Sequence, residues 1–125
     1  MKTLYTFAGI GLTALSLTFL LTSVQRYPDP DSLRRGKALF EMKCTPCHGS
    51  KGEGTAGPNL TDRYFLHGNH THGIAHVIRH GVVNKGMPPF RDMLTHQQVH
   101  DLAHYVHSLA GTHVAGGKAP QGKKH

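Results

Sequence analysis

The two cysteines of this chain, Cys44 and Cys47, are its only ones, and they are spaced as C-x-x-C. Such a pair can supply half of a zinc site, and the 12 histidines offer further ligands. It can also form a redox-active dithiol, which needs a strand before the pair and a helix after it. Here a helical pattern precedes the pair and the glycine-rich stretch GSKGEG comes after it. The surrounding sequence therefore disfavours the dithiol.

The residue directly after the second cysteine favours a third use. In C-x-x-C-H the two thiols add to the vinyl groups of a haem, and the adjacent histidine becomes the proximal ligand of its iron. Cys44, Cys47 and His48 are therefore predicted to hold one covalent haem c. Zinc and a disulfide remain as alternatives.

The second axial position of the iron needs a ligand, and four methionines are available. Met1 starts the chain, and Met42 precedes the motif too closely to reach the opposite face of a haem. Met87 lies in NKGMPPF, where a glycine lets the backbone approach and two prolines stiffen the chain beyond the methionine. Met93 comes just before the last predicted helix and is expected to pack instead. The sequence therefore favours Met87.

The first 26 residues predict a membrane segment. No charged residue stands between Lys2 and Arg26, and the run is long enough to cross a bilayer as a helix. With Lys2 on the cytoplasmic side, the rest of the chain is predicted to be exported. No A-x-A-like cleavage site appears between Leu20 and Pro30. We therefore predict a single-pass anchor over 1–26 in a bacterial inner membrane, with a domain facing the periplasm; the alternative is a cleaved signal peptide and a soluble periplasmic protein.

The rest of the chain divides into three parts. Residues 27–31, YPDPD, predict a short, stiff linker that cannot continue a helix. Residues 32–111 hold the apolar periodicity and form the predicted domain. Residues 112–125 are rich in Gly and Lys with little to bury, so they predict a disordered basic tail. The domain is small and its loops are long, so it needs something to fold around.

The periodicity within the domain predicts an all-α fold. DSLRRGKALFEMKC has apolar residues at helical spacing, with Asp31 or Ser32 as N-cap. HGIAHVIRHGV predicts a second helix that stops at Gly81. In THQQVHDLAHYVHSLAG, Thr95 and Gln98 have the spacing of a capping box. The strand signal is nearly absent.

Further motifs accompany C-T-P-C-H: they are Gly36 and Phe40 in the first helix, GPNLT at 57–61, YFLHG at 64–68, NKGMP at 84–88 and Tyr105 in the last helix. With these motifs, the chain from Gly36 to Gly111 resembles a class I c-type cytochrome. Within that class it is most similar to the haem c domains of the cbb-three-type cytochrome oxidase subunit III group. Members of that group usually carry two such domains behind their anchor, whereas this chain has one motif.

The resemblance implies a small cytochrome c fold of three to five short helices wrapped around one haem. It implies that the Pro58 carbonyl accepts a hydrogen bond from the ring N–H of His48. It also implies Met87 as the sixth ligand, which gives His/Met iron suited to electron transfer. Where the first and last helices cross, it implies contacts among Gly36, Phe40, Leu102 and Tyr105.

The sequence thus predicts an electron-transfer protein and no enzyme. A membrane-tethered monohaem carrier would pass single electrons between respiratory or dehydrogenase complexes; the alternative is a fixed haem-relay subunit of a larger oxidase-like or quinol-oxidising complex. The net charge of +7 favours redox partners with acidic docking surfaces, in addition to the membrane contact of the N-terminal helix. No basic stripe interleaved with aromatic residues appears, so nucleic acid is not expected. A zinc or copper chaperone is a distant third interpretation.

Most of the histidines are not explained by the haem. Two roles are possible for them: a peripheral Cu, Ni or Zn site on one helix face, or a solvated face that gains positive charge below a pH of about 6.5. We favour the solvated face, because pairs four residues apart arise readily in any histidine-rich helix. The residues concerned are His72, His76, His80, His96, His100, His104 and His107.

Overall fold

A computed structural model describes residues 29–125, and the predicted anchor over 1–26 lies outside them. The elements in chain order are α1 (Pro30–Lys43), α2 (Thr45–His48), β1 (Tyr64–Phe65), α3 (Thr71–His80), a 3-10 turn (Val83–Lys85), α4 (His96–Leu109) and β2 (Lys123–Lys124). The fold is therefore helical, with one two-stranded ribbon that the sequence did not predict. Within 29–125 no helix has the length and apolar character that a membrane crossing requires.

Helix α1 begins earlier than the sequence predicted. Its N-cap is Asp29, whose carboxylate accepts a hydrogen bond from the Ser32 amide at 2.6 Å. The proposed caps Asp31 and Ser32 are wrong, and residues 30–31 of the predicted linker over 27–31 belong to the helix, whereas residues 27–28 lie outside the described part of the chain. The reason is that proline at the first helical position lacks only an N–H that would have no helical partner anyway. Pro30 therefore starts the helix instead of preventing it.

The first and last helices cross at a glycine. A Cβ on Gly36 would collide with the Asp101 carbonyl and lie 2.8 Å from the Tyr105 Cβ. The rings of Phe40 and Tyr105 pack with their centroids 5.4 Å apart. The contacts of Gly36 and Phe40 with Tyr105 are among those that the resemblance implies. The buried core around them consists of Leu39, Phe40, Ile74, Ala75, Ile78, Phe90, Leu94, Val99, Leu102 and Ala103.

A buried carboxylate ties the same two helices together. Asp101 is 1% exposed and accepts hydrogen bonds from Ser32 Oγ at 2.7 Å, Arg35 Nε at 2.6 Å and Gln97 Nε2 at 3.0 Å. Burial by itself would raise the pKa of Asp101, but the bonds from Arg35, Ser32 and Gln97 outweigh it, so the pKa lies below its ordinary value. The α1–α4 contact is thus both packed and hydrogen-bonded.

The C-terminus of α3 and the N-terminus of α4 agree with the sequence prediction. Gly81 ends α3 with φ +68°, and its amide donates to the Val77 carbonyl at 2.7 Å. At the start of α4 the Gln98 amide donates to Thr95 Oγ1 at 3.2 Å. The Thr95 amide donates to Gln98 Oε1 at 2.8 Å, which completes the predicted capping box.

The C-terminal segment differs from the prediction of a disordered tail over 112–125. Residues 113–125, here called the C-terminal strap, run along the loop that contains residues 53–65. They are held mainly by backbone hydrogen bonds, which composition does not reveal, and this explains why their order was not predicted. The bonds are His113 N to Thr61 O (2.9 Å), Lys118 N to Glu53 O (2.8 Å), His125 N to Arg63 O (2.9 Å) and the ribbon that pairs Tyr64 with Lys124.

Candidate haem site

Cys44 is the N-cap of α2, and Cys47 lies within the single turn of that helix. Cys44 is half-buried, Cys47 is exposed, and neither forms a disulfide. Burial, and to a lesser extent the neighbouring Cys47, raises the pKa of the Cys44 thiol to about 11. Redox-active C-x-x-C pairs work through a thiol whose pKa is lowered. The environment of Cys44 is therefore unlike that of a catalytic dithiol.

The zinc alternative needs ligands beyond the cysteines. Within residues 29–125, no three His, Cys, Asp or Glu side chains are grouped so that they could hold a metal ion. Helices α3 and α4 each bring two histidine rings together. The ring centroids are 4.3 Å apart for His76 and His80 in α3 and 4.6 Å apart for His96 and His100 in α4. Each pair lacks a third ligand of this kind in the described part of the chain. The solvated histidine face stays a prediction.

His48 is half-buried, and its ring is oriented by the backbone. Its Nδ1 lies 3.0 Å from the Pro58 carbonyl oxygen. With the proton on Nδ1, the ring donates to that carbonyl and Nε2 keeps a free lone pair. Burial lowers the pKa of His48 and the charge of Lys118 acts in the same direction, against the bond to Pro58. The neutral imidazole that results is the form that binds a metal.

The segment after His48, residues 49–61, is here called the His loop. It turns back on the motif, so that the Gly54 amide donates to the His48 carbonyl at 2.7 Å and the Gly57 amide donates to the Cys47 carbonyl at 2.7 Å. Thr55 Oγ1 also donates to the Cys47 carbonyl, at 2.7 Å. A Cβ on Gly57 would lie 2.8 Å from His48 Cε1. The loop therefore closes on the imidazole only because this residue is glycine.

Residues 82–87, here called the Met turn, present Met87. Val82 N donates to the Met87 carbonyl at 3.0 Å, and Met87 N donates to the Val82 carbonyl at 3.2 Å. Gly86 has φ +86°, a conformation that favours glycine. Met87 is half-buried against the core. Met93, by contrast, is 54% exposed, so its expected packing is not found.

A cavity of about 730 Å³ lies beside the Met turn. This volume falls within the range of small-molecule sites, roughly 300–1,000 Å³. Its wall does not include Cys44, His48 or Met87, but it includes Val82, the partner of Met87 in the turn. The lining residues are His67, His72, Gly73, His76, Val77, Gly81, Val82, Val83 and Asn84.

The donor set fits a covalently attached haem. Two unpaired thiols, a neutral imidazole held through Nδ1 and a thioether packed against the core are the groups that attachment and axial ligation need. Sequence reasoning missed two contributors to this arrangement. Gly57 was treated only as part of a motif, and Lys118 was placed in a disordered tail.

Comparison with known proteins gives a match to the family model "Cytochrome C oxidase, cbb3-type, subunit III" over residues 31–106. The chain is 41% identical over 83 residues to the cbb3-type cytochrome c oxidase subunit FixP of Sinorhizobium medicae, which covers 59% of this chain and 29% of that protein. It is 40% identical over 85 residues to subunit CcoP of Rubrivivax gelatinosus, with 66% and 28% covered. The chain thus spans less than a third of the length of these relatives.

Among solved structures, the fold resembles cytochrome cL of the marine methylotrophic bacterium Methylophaga aminisulfidivorans. The TM-score is 0.61 at 29% sequence identity, and the superposition covers 65% of this chain and 57% of that one. The helical arrangement described above is therefore that of a small c-type cytochrome.

Proposed function

The chain belongs to the family of cbb3-type cytochrome c oxidase subunit III, and from this premise we propose that it is a one-electron carrier with a single haem c and His/Met iron. The domain is that of a c-type cytochrome, whose chemistry is haem-based electron transfer. When bound, the haem supplies an iron that alternates between the ferric and ferrous states. The protein is not an enzyme by this proposal, although it could serve an oxidoreductase complex.

Each site residue has one task in this proposal. Cys44 and Cys47 are the tethers, and His48 offers Nε2 to the iron while its Nδ1–H is held by the Pro58 carbonyl. Met87 offers its sulfur as the second axial ligand. The observation that carries the proposal is the 3.0 Å contact between His48 Nδ1 and the Pro58 oxygen, because ligating histidines are oriented through their other ring nitrogen in this way.

The setting of the domain is part of the proposal. Residues 1–26 would tether it to a bacterial inner membrane with the haem facing the periplasm, or would be removed as a signal peptide. The net charge of +7 favours redox partners with acidic docking surfaces.

Mass spectrometry of the mature protein tests both the N-terminus and the haem, since a single added haem and an intact N-terminus are expected. An unmodified polypeptide mass would contradict the proposal.

A spectroscopic experiment tests the ligands. The full-length protein, made in a bacterium that attaches haem c, should show a sharp reduced-minus-oxidised spectrum and keep its haem in denaturant. The double variant Cys44→Ala/Cys47→Ala should lose covalent haem. Met87→Ala should remove the charge-transfer absorption of methionine-bound ferric iron, whereas Met93→Ala, at an exposed position, should keep it. Equal spectra for the two methionine variants would refute Met87 as ligand.

A fixed subunit of a larger redox complex is the second candidate. It is favoured by the matched relatives, both of which are oxidase subunits, since the shared region covers only 29% and 28% of their length. Detergent extraction followed by size measurement separates the two candidates. A lone carrier would elute as the small protein in its micelle, and a subunit would elute with other polypeptides.

A further inference from the structure

The C-terminal strap reaches the part of the His loop that orients the proximal histidine. Lys118 forms four hydrogen bonds with this loop. Its amide donates to the Glu53 carbonyl at 2.8 Å, and its own carbonyl accepts from Asn59 Nδ2 at 3.2 Å. Its ammonium donates to the Ala56 carbonyl at 3.3 Å and to the Gly57 carbonyl at 3.4 Å. One strap residue therefore binds the loop through main chain and side chain together.

The same short stretch of loop is bound to the cysteine–histidine motif on its other side. The Gly57 amide donates to the Cys47 carbonyl, and the Pro58 carbonyl accepts from His48. The Gly57 carbonyl, which accepts from the Lys118 ammonium, therefore belongs to the peptide group directly before the one whose carbonyl accepts from His48. Lys118 and the His48 ring thus bind neighbouring peptide groups of the same loop.

Lys118 also brings a positive charge to this place. Its side chain is half-buried, so its charge is screened less than that of a fully exposed lysine. Both hydrogen bonds found for its ammonium go to neutral carbonyls. The Gly57 carbonyl that accepts from this ammonium is one residue before Pro58, whose carbonyl oxygen lies 3.0 Å from His48 Nδ1, so the charge lies close to the His48 ring. A positive charge in this place disfavours further positive charge on a metal bound to the ring.

We propose that Lys118 is a positioning residue for the haem ligand: it holds the Gly57 carbonyl, in the peptide group directly before the one whose carbonyl orients His48, and its charge favours the reduced state of the iron. The inference rests on the proposed function. It assigns a role in electron transfer to the C-terminal strap, a segment beyond the matched residues 31–106.

The test is the reduction potential of the full-length, haem-loaded protein, measured by spectroelectrochemical titration. At the ambient potential where the wild-type protein is half reduced, Lys118→Gln should raise the ratio of oxidised to reduced protein roughly two- to tenfold, as expected for one charge across a partly screened distance. Lys118→Glu should raise it further, and Lys118→Arg should leave it near one. High salt should shrink the differences.

Lys124→Gln is the matched control, because it removes the same charge from an exposed strap residue paired with Tyr64. It should leave the ratio within about twofold of wild type. Equal shifts for Lys118→Gln and Lys124→Gln would overturn the proposal in favour of a net-charge effect. Equal shifts for Lys118→Arg and Lys118→Gln would also overturn it, because packing alone would then explain both.

Hydrogen exchange supplies a readout that does not depend on the iron. In Lys118→Gln the amides of Gly54 and Gly57 should exchange faster than in wild type, and in Lys124→Gln they should not. Unchanged exchange would remove the positioning role. The two possible failures give different results. If the proposed function is wrong, the wild-type protein carries no haem. If only this inference is wrong, the variants carry haem, share one reduction potential and show unchanged hydrogen exchange.

Discussion

The His loop, which orients His48, and the Met turn, which presents Met87, are held in different ways. The His loop is bonded to the motif through the carbonyls of Cys47 and His48, and the C-terminal strap binds it from the other side. The Met turn closes on itself, with its hydrogen bonds running among residues 82–87. It approaches α3 closely at Gly81, where a Cβ would lie 2.6 Å from the Met87 carbonyl.

The two supports suit the two tasks of the proposed function. In that proposal the histidine must stand in one place relative to a haem attached at the neighbouring cysteines, and the loop that orients it is bonded from two sides. The Met turn borders a cavity and has fewer bonds to distant parts of the chain. We therefore expect substitutions in the His loop to lower the free energy of unfolding more than substitutions in the Met turn. We also expect a cofactor bound in the cavity to stabilise the Met turn more than it stabilises the His loop.

The largest effect is expected for Gly57→Ala. Its Cβ would lie 2.8 Å from His48 Cε1 and 3.0 Å from Nδ1, so the ring must move away from the Pro58 carbonyl. Overpacking together with a strained or lost hydrogen bond should lower the free energy of unfolding by about 2–4 kcal/mol. Denaturant unfolding measures the loss, and haem content measures its effect on the site.

Ser50→Ala, at an exposed position of the same loop, is the control for Gly57→Ala and should change the free energy of unfolding by less than about 0.5 kcal/mol. If the two variants were equally stable, the close fit of the loop to His48 would have no energetic consequence. The contrast between the two sides of the site would then lose its main support.

The features that could be predicted from the sequence are encoded locally. The capping box of Thr95 and Gln98 and the glycine stop at Gly81 each depend on residues within one helical turn. The contact of His48 with Pro58 spans ten positions, and it was predictable only because a family resemblance supplied it. The prediction of the N-cap of α1 failed for a local reason too: the observed cap Asp29 and the two predicted caps, Asp31 and Ser32, stand within four residues and are all of the types that cap helices.

The features that could not be predicted depend on partners far apart in sequence. Lys118 and Gly57 are 61 positions apart, and Asp101 and Ser32 are 69 apart. Nothing near Lys118 in the sequence distinguishes it from the other lysines of a glycine-rich tail. Backbone bonding, unlike apolar periodicity, leaves no compositional trace, so a segment ordered in this way is predicted as disordered until its partner strand is known.

An intermediate effect is expected for Asn59→Ala, which breaks the connection between the His loop and the strap. Asn59 Oδ1 accepts from the amide and the hydroxyl of Thr61, both at 2.8 Å, and Nδ2 donates to the Lys118 carbonyl. Thr61 is fully buried, so its donors would lose a partner that water cannot easily replace. The expected cost is about 1–3 kcal/mol in the free energy of unfolding.

Asn59→Asp is the matched control, because it keeps the acceptor for Thr61 and loses only the donor to Lys118. Its cost by thermal or denaturant unfolding should be smaller than that of Asn59→Ala. A larger cost for the aspartate variant would mean that the bond to the strap, and not the bonds to Thr61, holds the loop.

The smallest effect is expected for Gly86→Ala in the Met turn. The residue has φ +86°, but no heavy atom lies within 4 Å of the position that a Cβ would take, so the substitution strains the backbone without a collision. The cost should be about 1–2 kcal/mol in the free energy of unfolding, and Gly86→Asn should recover part of it because asparagine tolerates this conformation better than alanine.

Denaturant unfolding measures the cost of Gly86→Ala, and the absorption of methionine-bound ferric iron shows whether Met87 still reaches its position. Because the turn has only its own bonds to rearrange, we expect Gly86→Ala to weaken that absorption while the haem stays attached. A loss of stability as large as that of Gly57→Ala would show that the two sides of the site are held equally firmly.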